Sequence, residues 1–134
     1  MKTYRIGIIG FAHAHVHAAV RDFGALGDRV EFVAAADVEP FVEPVNTSHG
    51  TRPWNIETIL EQLDLKDNYY GYDWDEMLDE EDLDIVLVNC ENLFHVDVAV
   101  EALERDLVVV MEKPLATCME DALKIHKAAQ RSQG

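Results

Sequence analysis

One segment near the end of the chain places an acid, a lysine and a proline directly after an apolar run. It reads Met111-Glu112-Lys113-Pro114-Leu115-Ala116, and the apolar run before it is Leu107–Met111. If that run is a strand, Lys113 stands at its carboxyl end, where an ammonium group can lie beside a reacting hydroxyl group. Pro114 restricts the turn that aims the lysine. An exposed lysine in a turn is more often only solvated, so the spacing alone leaves both interpretations open.

The turn after the first apolar run is a second candidate site. It reads Gly10-Phe11-Ala12-His13-Ala14-His15. A dinucleotide-binding turn has the pattern Gly-x-Gly-x-x-Gly, because its backbone must approach a pyrophosphate at the N-terminus of the next helix. Gly10 fills the first position, whereas Ala12 and His15 replace the other two glycines with larger side chains. By itself this turn is therefore a weak indication of a dinucleotide site.

An acidic residue, Asp37, directly follows the second apolar run, Val30–Ala36. A carboxylate at that position can accept hydrogen bonds from both hydroxyls of an adenosine ribose, and it repels a 2′-phosphate. No arginine or lysine lies between Asp37 and His49. The pattern therefore favours NAD over NADP, and the alternative is that Asp37 only begins a turn.

Three histidines, His13, His15 and His17, form an H-x-H-x-H run. On a helix, His13 and His17 share a face while His15 points about 160° away from His17. That geometry is poor for three-way ligation of one ion, so we predict no metal here. We expect instead that one imidazole near the helix N-terminus donates to a cofactor phosphate. Packing or solvent exposure is the alternative for the others.

The elements that must position these residues alternate between short apolar runs and helical patterns. Five runs read as strands: Tyr4–Ile9, Val30–Ala36, a weak Tyr69–Tyr72, Ile85–Val88 and Leu107–Met111. Alternating strands and helices predict parallel pairing with right-handed crossovers. The expected fold class is α/β, a three-layer doubly wound parallel sheet (Rossmann-like) of about five strands with helices on both faces. In such sheets ligands bind beyond the carboxyl ends of the strands.

Helical periodicity and capping residues mark the segments between the strands. Residues 38–54 contain four breakers and are expected to be a loop, while the tail 130–134 has no periodicity and is expected to fray. The predicted helices are one over Val16–Phe23, one capped by Asn55, a short one after Asp73, one capped by Asn92, and one opened by a Thr117–Glu120 capping box.

Composition limits the functions that this chain can have. Its 134 residues include 26 acidic and 11 basic ones, for a formal charge of −15, and 49% are hydrophobic. The hydrophobic fraction argues against disorder, and the charge argues against nucleic-acid binding. No apolar run reaches the roughly 18 residues of a membrane span, and no secretory signal follows Met1. Two cysteines, Cys90 and Cys118, provide no disulfide framework, so we expect a reduced, cytoplasmic protein.

Much of the negative charge lies in residues 73–84, which hold eight carboxylates and no basic side chain. The simplest interpretation is a solvated surface segment on a generally acidic protein. A second interpretation is adaptation to high salt, in which surface carboxylates retain water while salt screens their repulsion.

Four stretches, in this order, resemble the N-terminal domain of the glucose–fructose oxidoreductase / inositol dehydrogenase (Gfo/Idh/MocA) family. They are Arg5–Gly10, Asp37, Cys90–His95 and Glu112–Ala116, and the last is the most specific. Members of this family are NAD(P)-dependent oxidoreductases that act mainly on sugars, cyclitols and related polyols. The resemblance therefore implies the NAD-binding domain of an oxidoreductase that transfers a hydride between the cofactor and such a substrate.

The resemblance also implies roles for individual residues. Lys113 would be catalytic, in contact with the nicotinamide side of the cofactor and with the reacting hydroxyl, and Glu112 would help to position it. Asn92 and His95 would line the same cleft. With the residues singled out above, the expected NAD site comprises Gly10, Phe11, Ala12, His13, His15, Asp37, Cys90, Asn92, His95, Glu112, Lys113 and Pro114.

Members of the family carry a second, largely β domain that supplies the substrate pocket and the usual catalytic histidine, and 134 residues cannot encode it. We therefore expect residues 1–134 to be the dinucleotide-binding N-terminal fragment of a longer two-domain oxidoreductase. This fragment would be inactive alone and would meet its sugar or polyol substrate through the missing domain. An uncovered fifth strand, Leu107–Met111, could pair with a second copy and form a homo-oligomer.

Two interpretations from other classes compete with the oxidoreductase hypothesis. A non-catalytic nucleotide-sensing or protein-interaction domain could have kept the fold and lost the glycines, and Lys113 would then be dispensable. A flavodoxin-like receiver module would need clustered acids at the end of the first strand, where Gly10–Ala12 offer none.

Overall fold

A parallel sheet forms the centre of the computed structural model, which describes residues 1–42 and 45–134. Its strands are β1 (Tyr4–Ile9), β2 (Val30–Ala36), β3 (Ile85–Val88) and β4 (Val108–Met111), in the spatial order β2-β1-β3-β4. Because the chain leaves β1 towards one side for β2 and returns to its other side for β3, the loops that follow β1 and β3 diverge there. This change of direction creates the crevice where doubly wound sheets bind ligands.

The expectation of about five strands is wrong by one, because the described sheet has four. Tyr69 forms a single parallel bridge with Ala35 instead of a strand. A 3₁₀ turn, Lys66–Asn68, precedes it, and Gly71 reverses the chain with a φ of 62°. Between these two turns there is room for only a few residues of extended backbone, so no ladder can develop.

In the described part of the chain, five α-helices cover the two faces of the sheet, as the predicted three-layer architecture requires. One face carries α1 (His15–Gly24) and α2 (Arg52–Leu63). The opposite face carries α3 (Trp74–Glu80) and α4 (His95–Glu104), and α5 (Met119–Arg131) packs on α4.

The hydrophobic core follows from the alternation of side chains along the strands. Ile6 and Ile8 of β1 face the α1 and α2 layer together with Leu87 of β3. Ile9 and Val88 face the α3 and α4 layer. These five side chains are fully buried, because helices cover both sides of the central strands.

The second helix begins earlier than its sequence pattern predicts. Helix α2 starts at Arg52, with Thr51 at the N-cap position and Pro53 in its first turn. Proline is tolerated there because the first-turn N–H groups have no partner within the helix. Residues 52–54 are therefore helical and not part of a loop, and Asn55 lies inside the helix instead of capping it.

Three other predicted boundaries also shift. Asn92 lies in a 3₁₀ turn, Asn92–Phe94, and α4 begins only at His95. The N-cap of α5 is Cys118, so Thr117 forms no capping box. At the tail, α5 continues to Arg131, and the backbone N–H of Gln133 donates to Asp106 Oδ1 at 2.8 Å.

The acidic segment 73–84 forms α3 and the turn that leads into β3, and it places Met77 and Leu78 in the core. Most of its carboxylates are exposed, as expected for a solvated face. Some of them pair with distant bases, such as Asp79 with Arg105 and Asp84 with Lys2. Among the described residues, no helix has both the length and the apolar character that crossing a membrane requires.

Candidate functional site

The turn after β1 is held tightly against the loop that follows β3. Gly10 has a φ of 97°, which disfavours any residue with a side chain, and its N–H donates to Ala36 O at 3.0 Å. A Cβ atom at Gly10 would lie 2.2 Å from the backbone nitrogen of Cys90. The N–H of Ala12 donates to Asn89 O at 3.1 Å. Glycine is therefore needed at position 10 for the approach of two loops of the protein itself.

Phe11 belongs to the core, and Asn55 holds its backbone in place. The Phe11 ring is fully buried and meets Tyr69 edge to face, with 6.3 Å between ring centroids. Its carbonyl accepts a hydrogen bond from Asn55 Nδ2 at 3.0 Å, and Asn55 Oδ1 lies 3.1 Å from His17 Nε2. Only the backbone of Phe11 can therefore contribute to a binding site at this turn.

Asp37 lies at the end of β2, as predicted, but its carboxylate is completely buried and faces partners within the protein. Oδ1 accepts the backbone N–H groups of Phe11 (3.2 Å) and Val38 (2.8 Å). Oδ2 lies 2.6 Å from Arg52 Nη1, and Nη2 of the same arginine pairs with Glu91. Burial raises the pKa of the Asp37 carboxyl, while Arg52 and the two N–H groups oppose this shift.

Arg52 supplies the positive charge that the stretch from Asp37 to His49 lacks. It lies three residues beyond that stretch, at the first position of α2, and is itself 9% exposed. Asp37 can therefore accept ribose hydroxyls only if Arg52 moves off it. Glu91, whose side chain is 37% exposed, offers the arginine a second carboxylate partner nearer to solvent.

His15, the first residue of α1, contacts Glu112 of the Glu-Lys-Pro segment at the carboxyl edge of the sheet. His15 Nδ1 lies 2.9 Å from Glu112 Oε2, and Glu112 Oε1 accepts the backbone N–H of Lys113 at 3.0 Å. The ring of His13 lies beside that of His15, with 3.9 Å between centroids. Burial opposes ionisation of Glu112, but His15 and the Lys113 N–H outweigh it, so the pKa of the carboxyl is lowered.

The first-turn histidines are not arranged as the H-x-H-x-H spacing predicts. Because α1 begins only at His15, His13 lies before the helix and its ring turns back onto His15. His17 points elsewhere, to Asn55 and to the Trp54 ring at 4.8 Å between centroids. The expectation that His13 and His17 share a face is therefore wrong.

A cavity of about 370 Å³ opens next to the His15–Glu112 pair. It lies between α1 and the carboxyl ends of β3 and β4, where a doubly wound sheet places its ligand. Its wall combines small and apolar side chains with three polar ones, and is formed by His15, Ala18, Ala19, Leu87, Asn89, Val110, Met111 and Glu112.

Lys113, Pro114 and Asn92 are exposed at the same edge, and the Lys113–Pro114 peptide is cis. His95 is different, because its ring is completely buried between the loops that follow β3 and β4. Its Nδ1 lies 2.9 Å from Pro114 O and its Nε2 3.3 Å from Cys90 O. His95 therefore connects these two loops from the inside, with a ring that is buried and not exposed to a cleft.

Cys90 is also an internal residue. It is 3% exposed, and burial raises the pKa of its thiol to about 12. Its side chain is therefore a neutral part of the core, and only its backbone borders the turn at Gly10.

Sequence reasoning missed two residues that shape this region, Arg52 and Asn55. Both lie in the first turns of α2, within or next to a segment that its prolines and glycine mark as irregular. The useful signal was Pro53, which is favoured in the first turn of a helix as well as in loops.

Comparison with known proteins agrees with this architecture. Residues 4–134 match the sequence model of a family described as an oxidoreductase family with an NAD-binding Rossmann fold. A glycosyl hydrolase family 109 protein from Shewanella woodyi is 28% identical over 136 residues, which covers 99% of this chain and 27% of that protein. Inositol 2-dehydrogenase from Salmonella typhimurium is 33% identical over 60 residues, or 45% of this chain and 18% of that enzyme.

Among solved structures, the WlbA dehydrogenase from Bordetella pertussis, crystallised with NADH and UDP-GlcNAcA, has a TM-score of 0.73 to this chain. It is 21% identical, and the match covers 96% of this chain and 34% of that enzyme. At that identity the likeness establishes the fold alone. The chain thus spans about a quarter to a third of the length of the relatives that it matches along nearly its whole length.

Proposed function

The chain belongs to the Gfo/Idh/MocA family of oxidoreductases with an NAD-binding Rossmann fold, and we propose that residues 1–134 form the cofactor-binding domain of a longer two-domain enzyme. That enzyme would transfer a hydride between NAD and a sugar, cyclitol or related polyol. The observation that carries this proposal is the contact of Glu112 with both His15 and the Lys113 backbone. This contact holds the loop that carries Lys113 beside the turn that follows β1, next to the cavity described above.

The residues at this edge fit a dinucleotide. The pyrophosphate would lie at the N-terminus of α1, which begins at His15, where helix N–H groups favour an anion. Ala12 and His15 replace the usual glycines, so their side chains leave less room for the pyrophosphate beside the backbone. Both residues are at least partly exposed. At the end of β2, the adenosine ribose would reach Asp37 after Arg52 shifts towards Glu91.

The chemistry assigned to this chain is the polarisation of the reacting oxygen. NAD would take the hydride at C4 of its nicotinamide ring. The Lys113 side chain is exposed at the carboxyl edge of the sheet, where its ammonium group could donate to the carbinol oxygen of the substrate. In oxidation, the hydroxyl proton would pass to a base of the second domain.

The substrate class rests on the family and on the names of the relatives. A glycosyl hydrolase and an inositol dehydrogenase both have polyhydroxylated substrates by name, which supports a sugar or polyol here. We propose further that the enzyme is cytoplasmic and that the edge of the sheet at β4 contributes to a homo-oligomer. β4 is the last strand of the described sheet and its Val108 is exposed, which supports an interface at that edge.

Fluorescence titration of the chain with NADH tests cofactor binding. We expect weak, saturable binding and no turnover with any polyol, since the proposed base belongs to the second domain. Absence of binding at millimolar NADH would contradict the cofactor assignment.

The role of Lys113 requires the longer enzyme that we propose. Lys113→Ala should lower kcat by roughly 10²-fold or more while the Kd for NADH changes little, because the ammonium acts on the substrate oxygen. Lys127→Ala is a matched control, since Lys127 is also exposed but lies on α5. Equal kcat values for the two variants would remove Lys113 from catalysis.

The alternative of a non-catalytic nucleotide-sensing or interaction domain predicts that Lys113 is dispensable. No contact among the residues that the structure describes favours it over the oxidoreductase. The Lys113→Ala experiment separates the two hypotheses directly.

A further inference from the structure

His13, His15 and Glu112 form a cluster whose chemistry goes beyond that of a hydrogen-bonded pair. One ligand atom from each of the three residues lies within 4.8 Å of the others. Two imidazoles and one carboxylate around a common point are a recurrent donor set for divalent transition metals. We propose that these three side chains bind one such ion, of the zinc, cobalt or iron type. This inference rests on side-chain geometry and does not depend on the proposed function.

The His15–Glu112 pair already has the spacing of two ligands on one ion. Protein nitrogen and oxygen ligands lie about 2.0–2.2 Å from zinc. Two such ligands are about 3.4 Å apart at the tetrahedral angle that zinc prefers, and about 3 Å apart at the right angle of an octahedral ion. The observed distance from His15 Nδ1 to Glu112 Oε2 is 2.9 Å. An ion bound to both atoms would lie off the line that joins them and would replace their hydrogen bond, which requires a rotation of the two side chains.

His13 can complete the site from the loop. Its Nδ1 accepts the backbone N–H of His15 at 3.2 Å, so metal binding through Nδ1 would break that hydrogen bond, whereas Nε2 could bind an ion without breaking it. The side chain is exposed and precedes α1, so small rotations can move it onto an ion. The third histidine of the run, His17, contacts Asn55 and is not a ligand.

The surroundings favour an ion with open coordination positions. Glu112 has a side chain only 13% exposed and keeps Oε1 for the Lys113 N–H, which leaves Oε2 directed at the cluster. The cavity beside His15 and Glu112, about 370 Å³, can supply water or a substrate oxygen as further ligands. A bound ion would also tie the turn after β1 to the loop that carries Lys113.

Titration with CoCl₂, followed by visible absorbance, and with ZnCl₂, followed by calorimetry, tests the proposal on the untagged chain. Every protein would carry Cys118→Ser, because this exposed thiol could bind metal elsewhere. We expect one equivalent of Co²⁺, displaced by Zn²⁺. The affinity should fall at least about tenfold in His13→Ala and in Glu112→Gln. It should not change in His126→Ala, which removes an exposed histidine of α5.

His13→Ala keeps the test decisive, since the loss of an exposed side chain should leave the fold intact. Its melting curve without metal should match that of the parent, whereas only the parent should gain stability with saturating Zn²⁺. No binding near millimolar metal, or equal affinities in the parent and His13→Ala, would overturn the proposal and leave only the His15–Glu112 pair. NADH titration of the metal-free parent protein is a separate measurement, so failure of the metal site and failure of the cofactor assignment can be told apart.

Discussion

Replacing Arg52 with methionine removes the cation that pairs with the buried carboxylate of Asp37. Methionine keeps most of the length of the side chain, so the packing at the start of α2 changes little. The Asp37 carboxylate would keep the N–H groups of Phe11 and Val38 but would lose the guanidinium at 2.6 Å. Asp37 is 0% exposed while Arg52 covers it, so we expect water to replace the lost partner only in part.

Breaking a buried ion pair on one side costs about 3–5 kcal/mol, because a charge remains without compensation. The free energy of unfolding of a domain of this kind is only about 5–15 kcal/mol, so this loss would be a large part of its stability. The matched control is Glu91→Gln, which weakens the outer contact of the same arginine. Since the Glu91 side chain is 37% exposed, we expect that variant to lose less than about 1 kcal/mol.

The difference in the free energy of unfolding between Arg52→Met and the parent should grow as the pH rises. Burial raises the pKa of Asp37 in the folded protein, and loss of Arg52 should raise it further. A carboxyl with a raised folded-state pKa costs no stability below its unfolded pKa, near 3.9. Above that pH, the carboxyl lowers the free energy of unfolding progressively, until the pH reaches its folded-state pKa. The variant should therefore be closest to the parent in acid and furthest from it at neutral pH.

Urea denaturation, followed by circular dichroism at several pH values, measures these free energies. The double variant Asp37→Asn/Arg52→Met should recover more than half of the loss, because a neutral amide can still accept the two N–H groups. A loss for Arg52→Met as small as that for Glu91→Gln, or one that does not change with pH, would refute this reasoning.

Three further predictions concern the glycine turn, the thiols and the acidic surface. Gly10→Ala should cost about 2–6 kcal/mol in the free energy of unfolding because of its positive φ and the nearby Cys90 backbone, whereas Gly24→Ala, with open space around it, should not destabilise. A thiol reagent at pH 8 should label Cys118 quickly and Cys90 only after denaturation, since Cys90 is buried and its pKa is about 12; equal labelling of both would contradict that burial. If the acidic surface is an adaptation to high salt, the Tm should keep rising between about 0.5 and 2 M KCl, where simple screening is already nearly complete, and a plateau would refute the adaptation.

The alternation of apolar runs and helical patterns was sufficient to predict the layered parallel fold. Four of the five proposed strands exist, and the weak run Tyr69–Tyr72 fails because turns interrupt it on both sides. Helix starts were harder to predict. Pro53 is compatible with both a loop and a first helical turn, and only packing of α2 against the first turn decides between them.

The gathering of the candidate residues at one edge of the sheet was predictable, but their contacts were not. Gly10, Asp37 and Lys113 follow strands, and in a parallel sheet such residues must gather at one edge. The sequence did not indicate that Asp37 would be covered by Arg52, or that His95 would be buried between two loops. Those outcomes depend on how each loop leaves its strand.

Periodicity along the chain thus determined the fold class and the edge at which the candidate residues lie, because burial and backbone hydrogen bonding impose regular local spacing on side chains. The pairing of His15 with Glu112, 97 positions apart, was decided only in three dimensions. Strand order determines which loops become neighbours, and that order depends on how the helices pack on the sheet. No spacing within a single segment carries that information.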